Sequence, residues 1–299
     1  MLNPPACFVS TIDLSLKDKL KEDLLSQGFT LSPAPYAFFS AKKQGLSCNL
    51  YLSGKITVQG KNKEEFIAFY LEPEILKNIS YTHPEVGQDQ TARIGMDEAG
   101  KGDFFGPLCV AAFYAGEGQV PDLLKLGVRD SKKMTDEAVL ALSKKLKAAY
   151  PYKILRLLPE TYNKLYAKFH NLNRMLAWAH ATTLEELSLK TECKKAILDQ
   201  FADASLMQSF LTKKKLNIDL TQRFKGEEDP VVAAASILAR AAFLEGLAEL
   251  SERFQMQIPK GASSLVITAG QKAINKHGPD VLPLISKTHF KTTQAVLHA

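Results

Sequence analysis

From Arg93 onward the chain alternates short apolar runs that end in carboxylates with longer stretches of helical spacing, and few folds accommodate that order. Residues 93–97 and 106–115 read as strands, the second apolar enough to be central, and 195–199 reads as a buried strand. Residues 135–149, 171–189 and the alanine-rich 231–250 read as helices. Strands interleaved with helices predict an α/β architecture.

The acids at the ends of these runs are the candidate chemistry. Asp97 and Glu98 close an apolar strand just before Gly100-Lys101-Gly102, and Asp199 closes a second. Glu227, Glu228 and Asp229 stand immediately before the 231–250 helix, where acids also suit a helix N-terminus. Carboxylates brought together from separate strand ends repel and raise one another's pKa unless a hard cation sits among them. Mg²⁺ takes oxygen ligands and keeps several waters, and two such ions roughly 4 Å apart suit in-line phosphoryl displacement. Each acid also has a purely structural use, as a strand-end or helix cap, and the Asp97-Glu98 pair is the hardest to explain that way.

Residues 1–77 read as a small α+β unit. Leu16, Leu20, Leu24 and Leu25 give helical spacing over 14–27, with Gly28 as a C-cap. Strands are expected over 36–41 and 47–59, with turns at Gly45 and Gly54, then a second helix over 63–77 interrupted near Pro73. Lys42, Lys43, Lys55, Lys61 and Lys63 fall within 36–63 with no acid among them, interleaved with Tyr36, Phe38, Phe39 and Tyr51. Such a sheet is either a nucleic-acid platform or a solvated lysine face over an ordinary aromatic core. The polar segment 78–92, with Pro84 and Gly87, reads as a linker, and 93–299 as the main domain.

Several classes are disfavoured. The GKG turn lacks P-loop spacing, no GxSxG elbow occurs, and His83, His170, His180, His277 and His298 read as ordinary surface or core residues. Four scattered cysteines without a CxxC match neither a zinc site nor a disulfide scaffold. A formal charge of +6 suits a phosphate-binding protein without requiring one. With no membrane-length apolar run and no leader-like N-terminus, a cytoplasmic chain with no membrane partner is expected, monomeric by default.

At DEAGKGDFFGPL, residues 97–108, the sequence resembles the type 2 ribonucleases H, and within them ribonuclease HIII. Asp130-Ser131-Lys132-Lys133, Asp199-Gln200-Phe201, VAAASILAR at 232–240, Pro259–Ser263, and Lys287 with His289-Phe290 and Thr292 match further elements in order, so the resemblance covers about 93–295. It implies an RNase H-like fold, a mixed sheet flanked by helices, preceded by a small TATA-binding-protein-like α+β domain that holds substrate. It implies an endonuclease that cuts the RNA strand of an RNA/DNA hybrid, using Mg²⁺ or Mn²⁺ and leaving 5′-phosphate and 3′-hydroxyl ends. Asp97, Glu98 and Asp199 then become metal ligands, with Glu228 as the expected fourth and Asp229 as its alternative. Gly100, Lys101 and Gly102, together with Ser131 and Lys132, are expected to contact substrate, as are Lys42 and Lys43 of the N-terminal sheet. A DNA-directed nuclease on the same fold and a non-catalytic binding scaffold are the rival readings.

Overall fold

The computed structural model describes residues 7–79, 81–82, 86 and 88–298, and the chain forms two compact units, Met1–Gln88 and Asp89–Ala299. His83, Pro84 and Gly87 of the expected linker lie outside the described residues, as do residues 1–6. Tyr81 and Thr82 are tied to the first unit, because both backbone N–H groups donate to the buried Glu72 carboxylate. Asp89 and Thr91 belong with the second, through Lys195 and Arg93.

The first unit comprises β1 (Cys7–Thr11), α1 (Lys17–Ser26), β2 (Thr30–Ser32), β3 (Ala37–Lys43), β4 (Leu46–Tyr51), β5 (Lys55–Gln59) and α2 (Lys63–Phe66). α2 continues as a π-helical stretch, Ile67–Leu76, through Pro73. The strands form an antiparallel sheet in the order β1-β5-β4-β3-β2. The 47–59 stretch is two strands, separated at the turn expected at Gly54, where Gly54 N–H donates to Tyr51 O. Period-two alternation decides which residues are buried. Leu46, Cys48 and Leu50 of β4 face a core that also holds Leu20 and Leu24 of α1 and Ile67, Leu71 and Ile75 of the π-helical stretch. Both helices thus cover the same face.

The second unit adds β6 (Arg93–Ala99), β7 (Leu108–Ala115), α3 (Val120–Lys125), α4 (Asp136–Ala149), β8 (Tyr152–Leu157), α5 (Pro159–Phe169), α6 (Leu172–Thr191), β9 (Lys195–Asp199), α7 (Ala204–Lys213), β10 (Asp219–Arg223), α8 (Pro230–Arg253), α9 (Ser264–His277), α10 (Leu282–Ile285) and α11 (Thr292–Leu297). Its sheet is mixed, in the order β10-β9-β6-β7-β8, with β6 parallel to β9 and antiparallel to β7. α3, α4 and α8 pack on one face, and α6 and α7 on the other. By length and composition α8 could cross a membrane, but it is the central helix of this core and is buried along most of its length.

Two features set α8 against β6. A side chain at Gly95 would come within 2.4 Å of the Val231 carbonyl, so only glycine lets the helix start lie on the strand. Asp229 caps α8 by accepting Val231 N–H at 2.8 Å, and its carboxylate is gripped by buried Arg93 at 3.0 and 3.2 Å. Removing either partner of such a pair leaves a buried charge uncompensated.

Candidate active site

β6 and β9 run parallel, with Met96 opposite Leu198. Asp97 and Asp199, each the next residue along, therefore leave the sheet side by side at its carboxyl end, the usual place for chemistry in such folds. Alternation along the strand fixes their faces. Ile94, Met96, Ala196 and Leu198 pack against α6, so Asp97 and Asp199 turn toward α8. Glu98, one residue further, turns back toward α6. Adjacent in sequence, Asp97 and Glu98 occupy different surroundings.

On the α8 side, the Ser236 hydroxyl donates to Asp97, and Ser131 Oγ lies 2.8 Å from Ser236 Oγ. Asp97 Oδ1 also accepts Glu98 N–H at 2.8 Å. Burial and the neighbouring charges of Glu98 and Asp199 still push the Asp97 carboxyl up to about 7. On the α6 side, burial would raise the Glu98 carboxyl as well. Together, the interactions with His180 and Lys101 outweigh it and hold Glu98 below its ordinary value. Two neighbouring acids are thereby driven apart.

The acids open into a cleft of about 400 Å³ that is also lined by Gly100, Lys101, Gly102, Ser131, Lys132, Arg240 and Lys260. Gly100 has φ +86°, and a Cβ there would meet the Pro107 carbonyl at 2.2 Å, so the turn after β6 requires glycine. Lys101 reaches Glu98 at 3.6 Å and stands 5.6 Å from the centre of the Phe201 ring. From the far end of the chain, buried Lys287 donates to the carbonyls of Asp103, Phe105 and Gly106 at 2.8, 3.2 and 2.8 Å. Its burial pushes the amine down to about 7. Gly261 N–H bonds Asp103, so the Pro259–Ser263 segment braces the same loop.

The acidic triplet divides differently from the expectation. Glu228 does not face the cleft: its side chain is 70% exposed and pairs loosely with Lys225 at 3.7 Å. Asp229, the alternative, is occupied by Arg93 and the helix cap. Glu227 is the inward member, 20% exposed, with Oε1 3.4 Å from the cleft-lining Lys132. Its Oε2 is buried and has no hydrogen-bond partner among the described residues. The preceding residue, Gly226, donates its N–H to Asp199 at 2.8 Å, which anchors the turn beside the strand end.

Ser131 is nearly buried where it lines the cleft, with its hydroxyl 2.8 Å from that of Ser236. Lys42 and Lys43, in the first unit, fall on opposite faces of β3. Lys42 shares the helix-free face with Lys55, Ser47, Asn49, Thr57 and Gln59. Lys43 lies over the Phe29 ring at 4.5 Å, and Lys63 is buried against Glu64. The platform is thus mostly small polar side chains with two exposed lysines. His180, read from sequence as an ordinary histidine, is fully buried in α6 and touches Glu98 at 3.0 Å. A lone histidine in an alanine-rich helical face was the one available signal.

As they lie, no three acids, imidazoles or thiols among the described residues form a closed metal shell. The donor set is nonetheless all carboxylate oxygen, one oxygen is orphaned, and Asp97 is driven toward its neutral form by burial and by the charges of Glu98 and Asp199. These are marks of a site short of positive charge, and they fit a divalent ion that completes its shell with water.

Comparison with known proteins follows this division of the chain. A family model described as ribonuclease HII matches residues 94–293, and a domain model of unknown function matches residues 7–82. The chain is 49% identical to ribonuclease HIII of Protochlamydia amoebophila, over 98% of this chain and 97% of the relative. It is 46% identical to ribonuclease HIII of Chlamydia abortus, over 95% of each. Among solved structures it is similar to Bst-RNase HIII in complex with Mn²⁺, at 29% identity and TM-score 0.69, covering 97% of this chain and 98% of that one. It is also similar to Aquifex aeolicus RNase H3, at 26% identity and TM-score 0.57, covering 95% and 100%.

Proposed function

This chain belongs to the ribonuclease HII family, on its ribonuclease HIII branch, and is an endoribonuclease; from that premise we propose that it cuts the RNA strand of RNA/DNA hybrids, with Asp97, Glu98, Asp199 and Glu227 as ligands to two divalent ions, Mg²⁺ or Mn²⁺. The observation that carries this is the convergence of strand-end acids into one cleft where, without a cation, Asp97 is pushed up to about 7. Ions bound there would lower the pKa of an attacking water and stabilise the departing 3′ oxygen.

The chain's own groups do the rest. Asp97 must lose its proton before an ion binds, and the Ser236 hydroxyl favours that loss. Lys101, with the backbone N–H groups of Gly100 and Gly102, faces the scissile phosphate and the neighbouring 2′-hydroxyl, the group that separates RNA from DNA. Lys132, whose amine Glu227 and Asp97 hold above its ordinary value against the opposing effect of burial, stays charged beside the phosphate. Water attack on phosphorus, in line with the 3′ oxygen, would break the P–O3′ bond and leave 5′-phosphate and 3′-hydroxyl ends. The helix-free face of the first sheet, with Lys42 and Lys55, binds the hybrid through its backbone without reading sequence. We also assign the enzyme to the cytoplasm, a placement with which its four free thiols are consistent.

The test is strand-resolved cleavage of a labelled RNA/DNA hybrid beside duplex RNA and duplex DNA, in Mg²⁺, Mn²⁺ or EDTA. Cutting confined to the RNA strand of the hybrid and stopped by EDTA is expected. Equal cutting of duplex DNA would replace the reading with a general nuclease, and binding without cutting in either metal would replace it with a scaffold.

A further inference from the structure

Among the described residues, His180 is the buried ionisable group in contact with the acids whose presence the fold does not explain. It lies in α6 between Ala179 and Ala181, fully buried. Its ring stacks on Phe201, with centroids 5.2 Å apart and planes 17° from parallel. Nδ1 is buried without a hydrogen-bond partner among the described residues, so the polar contact of the ring is Nε2 to Glu98 Oε2 at 3.0 Å. An ionised carboxylate can only accept, so Nε2 carries the shared proton. Burying a polar ring with one nitrogen unsatisfied costs stability that an apolar side chain of similar size would not cost. The group therefore serves Glu98 rather than the core.

The contacts around it close a circuit. Glu98 Oε2 is held by His180, Glu98 Oε1 faces Lys101 at 3.6 Å, Lys101 lies over the Phe201 ring, and Phe201 stacks back on His180. One carboxylate oxygen is thus fixed to the protein, and the other is left toward the cleft. This matters because Glu98 sits on the opposite side of β6 from Asp97 and must reach round the strand end to act with it.

We propose that His180 is a positioning residue, whose Nε2–H fixes one oxygen of Glu98 so that the other is presented to the metal site beside Lys101. The proposal rests on the reading of Glu98 as a metal ligand. It adds a residue outside the acid set, supplied by a helix on the other face of the sheet.

The experiment is Mn²⁺ binding to the full-length protein, read as free Mn²⁺ by electron paramagnetic resonance, with metal-free melting temperature and kcat and KM on hybrid measured in parallel. His180→Leu is expected to weaken Mn²⁺ binding by about 10- to 100-fold, the usual cost of losing a hydrogen bond that orients a ligand. Its kcat should fall and its KM for hybrid should stay unchanged. A merely structural histidine predicts a lower melting temperature with unchanged Mn²⁺ affinity, and unchanged Mn²⁺ affinity in the folded variant would overturn the proposal. His180→Gln, which restores an N–H near the same place, should recover part of the loss and covers the case in which the leucine variant misfolds; no recovery in a folded protein counts against the proposal. Glu98→Gln separates this from the premise. If it leaves Mn²⁺ binding intact, Glu98 is not a ligand and both readings fall, whereas loss in Glu98→Gln with parental binding in His180→Leu sinks the His180 proposal alone.

Discussion

The two sheets of this protein are covered in different ways. In the second unit helices cover both faces, so the surface left for chemistry is the carboxyl end of the strands, where Asp97 and Asp199 emerge side by side. In the first unit helices cover one face, and the other carries Lys42, Lys55, Asn49, Thr57 and Gln59 in a polar field. A strand end concentrates function in a few residues whose loss is drastic. A sheet face spreads it over many, each worth little. If the contrast is right, single substitutions should separate the two regions by orders of magnitude.

The largest effect is expected from Asp97→Asn, which keeps the shape and removes a ligand charge. Cleavage should fall by at least about 10⁴-fold, the scale for losing one member of a catalytic unit, while hybrid affinity is retained. Turnover near the parental rate would remove the strand end from the chemistry. Next comes Asp229→Ala, which strands Arg93 in the core. It should destabilise the fold by about 3–5 kcal/mol in a denaturant titration, and a neutral result would mean that the pair does not hold α8 on β6.

Glu227→Gln and Glu228→Gln sharpen the comparison within one turn. The first should cut the rate by roughly 10²-fold or more, as for other groups that act on transition-state charge. The second, on the surface, should alter stability by less than about 0.5 kcal/mol and leave the rate alone. Reversed outcomes would restore Glu228 as the ligand. On the platform, Lys42→Ala combined with Lys55→Ala should raise KM, leave kcat unchanged and shallow the salt dependence of binding by about two counterions. A steep, unchanged salt slope would show that this face does not meet phosphate.

A further effect is on stability against pH. Asp97 has a folded pKa above its unfolded value, so between about 4 and about 7 the native state binds more protons than the unfolded state. Stability of the metal-free protein should therefore decline as pH rises through that window, and Asp97→Asn should flatten the decline. Glu98, held below its ordinary value, works in the opposite sense, and its contribution is lost only at acid pH. A saturating divalent ion should reverse the trend, because it binds the ionised form.

The same contrast explains what the sequence revealed. Strand-end acids are punctual: Asp97-Glu98 before a glycine turn and Asp199 after Ala196-Ile197-Leu198 are legible because apolar runs point to them. Period-two geometry then splits Lys42 from Lys43, and no composition argument over 36–63 sees that. Which acid of the triplet faces inward was not legible because Glu227 and Glu228 lie in a 3₁₀ turn, where each residue rotates the side chain by about 120°, and Asp229 follows it as the cap of α8. Gly226 anchors that turn on Asp199, with Glu227 inward and Glu228 outward. β10 escaped because, as an edge strand with no buried residue, it has no apolar signal. His180 escaped because its partner is 82 residues away, on the other side of a strand.

Whether four carboxylates from three chain segments share one metal centre is answered most directly by anomalous diffraction from crystals of the protein soaked in Mn²⁺. Mn²⁺ peaks are expected within ligand distance of Asp97, Glu98, Asp199 and Glu227, with Glu228 in solvent and Asp229 still on Arg93. Peaks held by Glu228 or Asp229, or no peak in the cleft at saturating Mn²⁺, would contradict that arrangement.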